Sequence, residues 1–179
     1  MPQVVHVGAP AFISEAIAQT GLCLRPQTED DTAFLASLYF SVRWAELEQS
    51  GWPDEAKQGF LLDQFRLQTR HYAAAYYDAE FSIIETDGQA IGRLYLFRGK
   101  TDLRIVDISL LPVARNRGFG TVLLKAVQAE AAGAKKTVSI HVEQFNPALR
   151  LYRRLGFKGV HNEGPYILME WQPQNTPAC

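Results

Sequence analysis

The residues best suited to chemistry form a short basic run, Arg115-Asn116-Arg117-Gly118-Phe119-Gly120. An apolar, strand-like segment (103–111) precedes this run, and a helical pattern follows it from Thr121. The first amides of a helix lack internal partners and the helix dipole adds positive charge there, so such a turn can bind an anion. Two arginines add full charges, and two glycines allow a phosphate to approach the backbone. An ordinary tight strand-to-helix turn would, however, use glycines in the same places.

A second group of residues follows about twenty-five positions later. It comprises Asn146 and the run Leu151-Tyr152-x-x-Leu155-Gly156-Phe157. Asn146 and Pro147 suit the start of a helix, and Gly156 suits its end. The first run lacks the Gly-Lys-Ser/Thr of a P-loop, and Leu123 stands where a dinucleotide fingerprint has its third glycine. The two groups therefore have to be interpreted together.

The elements that must position these residues can be read from hydrophobic periodicity. A short strand at 22–26 is followed by two amphipathic helices, which Gly51-Trp52-Pro53 separates. Asp87-Gly88 is a strong hairpin signal between strands at 81–85 and 90–97, and the strand at 103–111 comes next. After the helix that begins at Thr121, the pattern predicts a strand at 136–142, the helix after Asn146, and a final antiparallel pair that ends at 166–171.

The composition and net charge of the chain limit the classes of protein to which it can belong. The chain has 179 residues, 47% of them hydrophobic, and a formal net charge of −1, which is typical of one globular domain and argues against broad nucleic-acid binding. No apolar run approaches the roughly 20 residues of a membrane span, and no signal peptide is apparent. Two distant cysteines and four scattered histidines give no metal-type spacing, so the sequence predicts no metal site and a cytoplasmic location.

The order of elements and the joint occurrence of both groups resemble the GNAT superfamily, the Gcn5-related N-acetyltransferases. The resemblance covers roughly residues 22–171. It implies an α+β (mixed α/β) acyl-CoA N-acyltransferase fold. That fold has a mostly antiparallel, twisted sheet of six to seven strands, about four flanking helices, and fourth and fifth strands that splay apart. We expect a single domain at 21–172, an N-terminal extension at 1–20 that forms a short helix or a floppy leader, and a flexible tail at 173–179.

The resemblance also implies a cosubstrate, acetyl-CoA, and the residues that bind it. The pantetheine arm would lie in the gap between the splayed strands, and the loop amides would hold the pyrophosphate. Asn146 would contact the cosubstrate near its thioester. The full expected set is Leu110, Leu111, Arg115, Asn116, Arg117, Gly118, Phe119, Gly120, Thr121, Asn146 and Tyr152.

Two residues are candidates for catalysis. Tyr152 occupies the position of the tyrosine that protonates the leaving thiolate in many family members, and the less favoured alternative is a core aromatic with a buried hydroxyl. Asp107 is the only carboxylate within the strand at 103–111, and by alternation it should share a face with Leu103, Ile105 and Ser109, opposite Arg104. It could orient or deprotonate the acceptor amine, or form a structural ion pair with Arg93 or His141.

We expect the acceptor amine to bind beside the two amphipathic helices that follow the first strand. Aromatic and charged residues near their joint predict either a pocket wall or helices anchored in the core. We take Arg43, Trp44, Tyr76 and His141 as candidate substrate-binding residues. The expected reaction is direct acetyl transfer from acetyl-CoA to a primary amine of a small molecule or peptide, in a monomer or a homodimer. The alternatives are a non-catalytic acyl-CoA-binding sensor or interaction module and a phosphate-binding protein of another kind.

Overall fold

A computed structural model describes residues 11–174 of the chain. Its strands form one seven-stranded sheet in the order β1-β2-β3-β4-β5-β7-β6. Neighbouring strands are antiparallel except β4 and β5, which are parallel. This is the mixed sheet with flanking helices that the sequence predicts. The strands are β1 (Leu22–Pro26), β2 (Glu80–Thr86), β3 (Gln89–Arg98), β4 (Asp102–Leu110), β5 (Thr137–Glu143), β6 (Lys158–Glu163) and β7 (Tyr166–Trp171).

Five α-helices flank the sheet within the described residues. They are α1 (Ala11–Ala18), α2 (Thr32–Arg43), α3 (Asp54–Ala75), α4 (Phe119–Gly133) and α5 (Leu149–Arg154). A 3-10 segment, Trp44–Ser50, continues from α2 and ends at Gly51, whose φ of 71° only glycine adopts readily. Of the two possibilities for the N-terminal extension, residues 11–18 form the helix, and Ile13 and Ile17 are fully buried. The leader before residue 11 and the tail after residue 174 lie outside the described residues.

The helices pack in two layers, one on each face of the sheet. On the first face, Ile13 of α1, Leu123 of α4 and Tyr152 of α5 share one core with the sheet residues Leu103 and Ile105. On the second face, a smaller core joins α2 and α3 to the sheet, and it contains Leu35, Phe65 and Ile83. The second layer covers the middle of the sheet, above β3 and the end of β4.

The fourth and fifth strands separate along their length, as the resemblance to the GNAT fold implies. They pair only from Asp102 opposite Thr137 to Ile105 opposite Ile140. β4 then continues to Leu110 and β5 to Glu143 without further pairing between them. The ends of the two strands therefore enclose a gap near the middle of the sheet.

β4 contains an irregularity that places Asp107 on the face opposite to the predicted one. Asp107 pairs with Tyr95 but Ile105 pairs with Leu96, so one extra residue, Val106, is inserted into β4. A bulge of this kind breaks the alternation of side chains. Leu103 and Ile105 remain on the first face, whereas Asp107 contacts Tyr72 of α3 on the second face. The prediction that Asp107 shares a face with Leu103 and Ile105 is wrong for this reason.

No helix between residues 11 and 174 is both long and apolar enough to cross a bilayer. Over the same range, the side chains of histidine, cysteine, aspartate and glutamate nowhere form a group that could hold a metal ion.

Candidate active site

The loop between β4 and α4 presents a row of free backbone amides. From Asn116 to Thr121 no N–H group has an acceptor among the described residues, and the first intrahelical bond runs from Val122 N–H to Gly118 O at 3.1 Å. Asn116 and Gly118 have positive φ values of 58° and 86°. Alternation of left-handed and ordinary conformations turns successive N–H groups toward one side and forms a concavity that binds anions. The loop can therefore hold a phosphate group through its backbone.

The two glycines of the loop have different roles. A Cβ on Gly118 would meet no atom within 4 Å, so Gly118 serves the left-handed conformation and leaves open space above the amides. A Cβ on Gly120 would lie 3.1 Å from Leu151 Cδ2, so this glycine allows α4 to pack closely against α5. The expectation that both glycines admit the phosphate therefore applies to Gly118, and Gly120 has a packing role.

Three arginines surround the loop. Arg117 lies over the ring of Phe119 at 4.9 Å and is exposed, so its charge faces solvent beside the amides. Arg115 turns back, and its Nε donates to Leu110 O at 2.9 Å. Arg154 of α5 was not predicted, and its Nη2 lies 3.4 Å from Thr121 Oγ1 in the first turn of α4. Since α5 follows α4 by many residues, only the fold brings Arg154 to this site.

The end of β4 offers unpaired backbone groups to the gap. Leu111 N–H donates to Ile91 O at 2.8 Å, so this amide already belongs to the β3–β4 ladder. In an antiparallel ladder, alternate residues turn their N–H and C=O groups away from the partner strand. Leu110 and Ile108 therefore direct theirs toward the gap, where a ligand with amide groups could pair with them as an added strand does. Leu110 O already accepts one hydrogen bond from Arg115.

Asn146 is exposed between β5 and α5. Its Oδ1 accepts a hydrogen bond from Ala148 N–H at 2.9 Å, and its backbone O accepts one from Leu149 N–H. α5 itself begins at Leu149 with Ala148 as its cap, so the prediction of Asn146 as cap and Pro147 as first helical residue is wrong by two residues, and these bonds form the turn that leads into the helix. Its side-chain NH₂ makes no hydrogen bond to residues 11–174 and remains available to a ligand.

Tyr152 is the buried aromatic of α5, and it belongs to the core on the first face of the sheet. Its ring packs against Phe157 with 5.7 Å between centroids, and 4% of the residue is exposed. Within the described residues its hydroxyl makes no hydrogen bond. Burial raises the pKa of Tyr152 well above its ordinary value, and the charge of Asp107 raises it further.

Asp107 forms the centre of a buried polar network. Its Oδ2 accepts hydrogen bonds from Arg93 Nη2 at 2.8 Å and Tyr72 Oη at 3.1 Å. Its Oδ1 accepts one from Ser109 Oγ at 2.7 Å, and Arg93 also donates to Gln68 Oε1 at 2.8 Å. The side chains of Arg93 and Asp107 are only 5% and 11% exposed. The ion pair with Arg93 that the sequence offered as one possibility is therefore formed, and the carboxylate can orient an amine more readily than take its proton.

A cavity on the second face leads from the surface toward Asp107. The outer part has a volume of about 480 Å³ and lies among α2, the 3-10 segment, α3 and the start of β7. A smaller inner cavity lies behind it against β3 and β4. The lining of the outer part combines aromatic, aliphatic and polar side chains, among them Tyr39, Arg43, Glu46, Phe60, Gln64, Gln68, His71 and Tyr166. An acceptor molecule could enter here and reach the gap from the face opposite to α5.

Of the four predicted substrate-binding residues, only Arg43 lines this cavity. It bridges Glu46 at 2.9 Å and Glu143 of β5 at 2.7 Å. Trp44 packs beneath Lys57, whose Nζ lies 5.5 Å from the ring centroid, and Tyr76 packs against Tyr72 and Phe97. These two aromatics are anchored in the structure, as the alternative interpretation of the helical pair holds.

His141 also lies away from the cavity. Its Nδ1 contacts Arg104 Nη2, and its Nε2 lies 2.8 Å from Glu163 Oε2 without hydrogen-bond geometry. Burial, with the nearby charge of Arg104, lowers the pKa of His141. The predicted alternative in which His141 pairs with Asp107 is wrong, because Arg93 occupies that carboxylate.

Comparison with known proteins agrees with this geometry. Residues 77–159 match the family model described as the acetyltransferase (GNAT) domain. A curated relative, an N-alpha-acetyltransferase of Sulfurisphaera tokodaii, is 29% identical over 99 residues. The match covers 47% of this chain and 59% of that relative.

Solved structures show the same fold at low identity. The PaiA N-acetyltransferase of Thermoplasma acidophilum, in complex with coenzyme A, has a TM-score of 0.62 and 18% identity. The match covers 84% of this chain and 98% of that one. A GNAT family acetyltransferase of Elizabethkingia anophelis with acetyl-CoA bound has a TM-score of 0.54 and 18% identity, over 85% of this chain and 98% of that one.

Proposed function

We propose that this chain, whose residues 77–159 match the acetyltransferase (GNAT) domain model, is an acetyl-CoA-dependent N-acetyltransferase that acts directly on a primary amine of a small molecule or peptide. Its relatives' names and bound ligands supply the reaction class and the cosubstrate. The surfaces that we assign to acetyl-CoA and to the amine come from the geometry of this chain.

The main support for this proposal is the gap between the ends of β4 and β5. At one end of the gap lie the six free amides of the loop, and along its edge lie the unpaired groups of Ile108 and Leu110. Tyr152 lies in the core on the first face of the sheet, and the inner cavity beside Asp107 lies on the second. Two substrates can therefore meet in the gap from opposite faces of one sheet.

The residues present fit the chemical parts of acetyl-CoA. The loop amides and Arg117 offer hydrogen bonds and positive charge to a pyrophosphate, and Arg154 adds a further charge from α5. The edge of β4 offers a donor and an acceptor to the amides of a pantetheine arm. When bound, the cosubstrate supplies an activated acetyl group.

Each step can then be assigned to groups of this chain. Asp107 and its network orient the amine, which attacks the acetyl carbon in its unprotonated form and forms the new C–N bond. The backbone N–H groups of β4 that face the gap stabilise the negative charge on the carbonyl oxygen. Tyr152 donates its proton to the sulfur as the C–S bond breaks and is then reprotonated from solvent. The proton lost by the amine leaves through the polar cavity to solvent.

The direct test is release of free thiol when the purified protein is mixed with acetyl-CoA and a panel of primary amines. We expect thiol release that depends on the amine, with one acetylated amine formed per thiol. Tight binding of acetyl-CoA without transfer to any amine would favour the non-catalytic acyl-CoA-binding module instead.

A further inference from the structure

The path from the surface to Asp107 narrows between two cavities. The outer cavity, of about 480 Å³, and the inner cavity, of about 40 Å³, share three lining residues: Tyr39, Arg43 and Gln68. These residues therefore lie between the two cavities, on the way from the outer cavity toward Asp107. We call this set the constriction.

The constriction is held from several sides. Arg43 is fixed by Glu46 and Glu143, and Gln68 accepts a hydrogen bond from buried Arg93. The ring of Tyr39 packs on Phe65, with 5.8 Å between centroids. Since each member has its own support, widening the constriction would require breaking an ion pair, a buried hydrogen bond or an aromatic contact.

The inner cavity is small and polar. Besides the constriction it is lined by Leu38, Val42, Arg93, Asp107 and Ser109. Arg93 Nε is buried and has no hydrogen-bond partner within the described residues. A buried donor of this kind requires an acceptor or a water molecule, so the inner cavity suits a small polar group.

Size then limits the acceptor. A volume of about 40 Å³ admits only a few heavy atoms, because one water molecule needs about 10–15 Å³ of such space. An aminomethyl group is that small and has a polar end. A nitrogen on a branched carbon would bring a second substituent into the constriction.

We propose that the constriction selects amines on an unbranched carbon, so that the acceptor is an aminoalkyl compound whose terminal –CH₂NH₂ enters the inner cavity. The body of the acceptor occupies the outer cavity, against Phe60 and Tyr166. This inference rests on the proposed acetyl transfer, and it concerns which amines undergo that transfer.

The test compares two isomeric amines, n-butylamine and sec-butylamine, which have the same composition and similar basicity. Thiol release from acetyl-CoA is measured with each amine, and each rate is divided by the uncatalysed rate with the same amine. We expect kcat/KM for n-butylamine to exceed that for sec-butylamine on the order of tenfold or more, because a substrate that fits a pocket poorly loses about that much in kcat/KM. Equal values, or a preference for sec-butylamine, would overturn the proposal. Transfer to neither isomer, nor to any other amine, would refute the proposed transferase itself.

Two variants localise the effect. Tyr39→Ala removes a side chain of the constriction, so the preference for n-butylamine should fall toward unity. Phe60→Ala, the matched control, removes an aromatic ring that lines only the outer cavity, so it should change KM for larger amines and leave the isomer ratio intact. A ratio unchanged in Tyr39→Ala, or lowered equally in both variants, would contradict the role of the constriction. Circular dichroism checks that both variants are folded.

Discussion

At the scale of single residues, Tyr152 and Asp107 show what a sequence pattern can and cannot predict. The spacing after Asn146 placed Tyr152 on a helix, and the structure adds a buried ring whose hydroxyl has no partner within residues 11–174. The environment of Asp107 could not be predicted in the same way. One inserted residue in β4 reverses the face of every residue after it, and a bulge leaves no clear signal in an apolar strand.

Tyr152→Phe should lower kcat by about 10²-fold or more, because a positioned acid typically contributes 10²- to 10⁴-fold. The affinity for acetyl-CoA should change little, since the ring and its contact with Phe157 remain. Steady-state kinetics together with calorimetric binding separates the two effects. Tyr95→Phe removes a hydroxyl from another buried tyrosine and serves as the control. Equal turnover in Tyr152→Phe and the unmodified protein would reduce Tyr152 to a packing role.

Asp107→Asn should destabilise the protein by about 3–5 kcal/mol, because it leaves the buried guanidinium of Arg93 without its counterion. Urea denaturation measures this loss. The double variant Asp107→Asn, Arg93→Met removes both charges and should recover part of the stability. A single variant that is as stable as the unmodified protein would contradict the buried ion pair with Arg93.

At the scale of elements, most of the architecture was predictable from local signals. Hydrophobic alternation and Asp87-Gly88 predicted the β2–β3 hairpin, in which both turn residues have positive φ. The helix after the loop begins at Phe119, two residues before the predicted start at Thr121. The acceptor cavity was not predictable beyond Arg43, because its walls come from α2, α3 and β7, and only the fold brings them together.

Gly92 fixes the distance between β3 and the end of β4. A Cβ there would lie 2.3 Å from Ser109 O and 2.7 Å from Leu110 Cδ2, so Gly92→Ala must displace the strand that borders the gap. We expect a loss of about 1–3 kcal/mol in the free energy of unfolding, as in other overpacked sites. The same variant should also bind acetyl-CoA more weakly, because the substitution moves Leu110.

The matched control is Gly59→Ala in the middle of α3. Nothing lies within 4 Å of a Cβ at Gly59, so this variant should stabilise the protein by about 0.5–1 kcal/mol through helix propensity. Urea denaturation of both variants measures the contrast. A Gly92→Ala variant as stable as Gly59→Ala would contradict the close approach of the two strands.

At the scale of the whole molecule, buried tyrosines make the free energy of unfolding depend on pH in the alkaline range. Burial raises the pKa of Tyr95 to about 12 and raises that of Tyr72 further. In the unfolded chain a tyrosine has a pKa near 10, so above that pH the unfolded state releases protons that the folded state keeps. The stabilisation is therefore complete below about pH 10 and is lost as the pH rises toward the folded-state values.

The free energy of unfolding should consequently be level near pH 8–9 and fall above about pH 10. The slope can reach about 1.4 kcal/mol per pH unit for each tyrosine that stays protonated only in the folded state. Urea denaturation across this range measures it, and Tyr95→Phe should reduce the slope by the share of one tyrosine. A slope that Tyr95→Phe leaves unchanged would contradict the burial of this hydroxyl.

The central claim is that the amides from Asn116 to Thr121 bind the phosphates of acetyl-CoA, and calorimetric titration tests it most directly. The unmodified protein should bind acetyl-CoA with micromolar affinity and show no heat with NAD. Gly118→Asp should abolish binding, because it places a carboxylate beside the amides. Gly51→Asp is the matched control, since Gly51 also has a positive φ and open space around its Cβ, and it should bind normally. No binding by the unmodified protein, or equal binding by Gly118→Asp, would contradict the account.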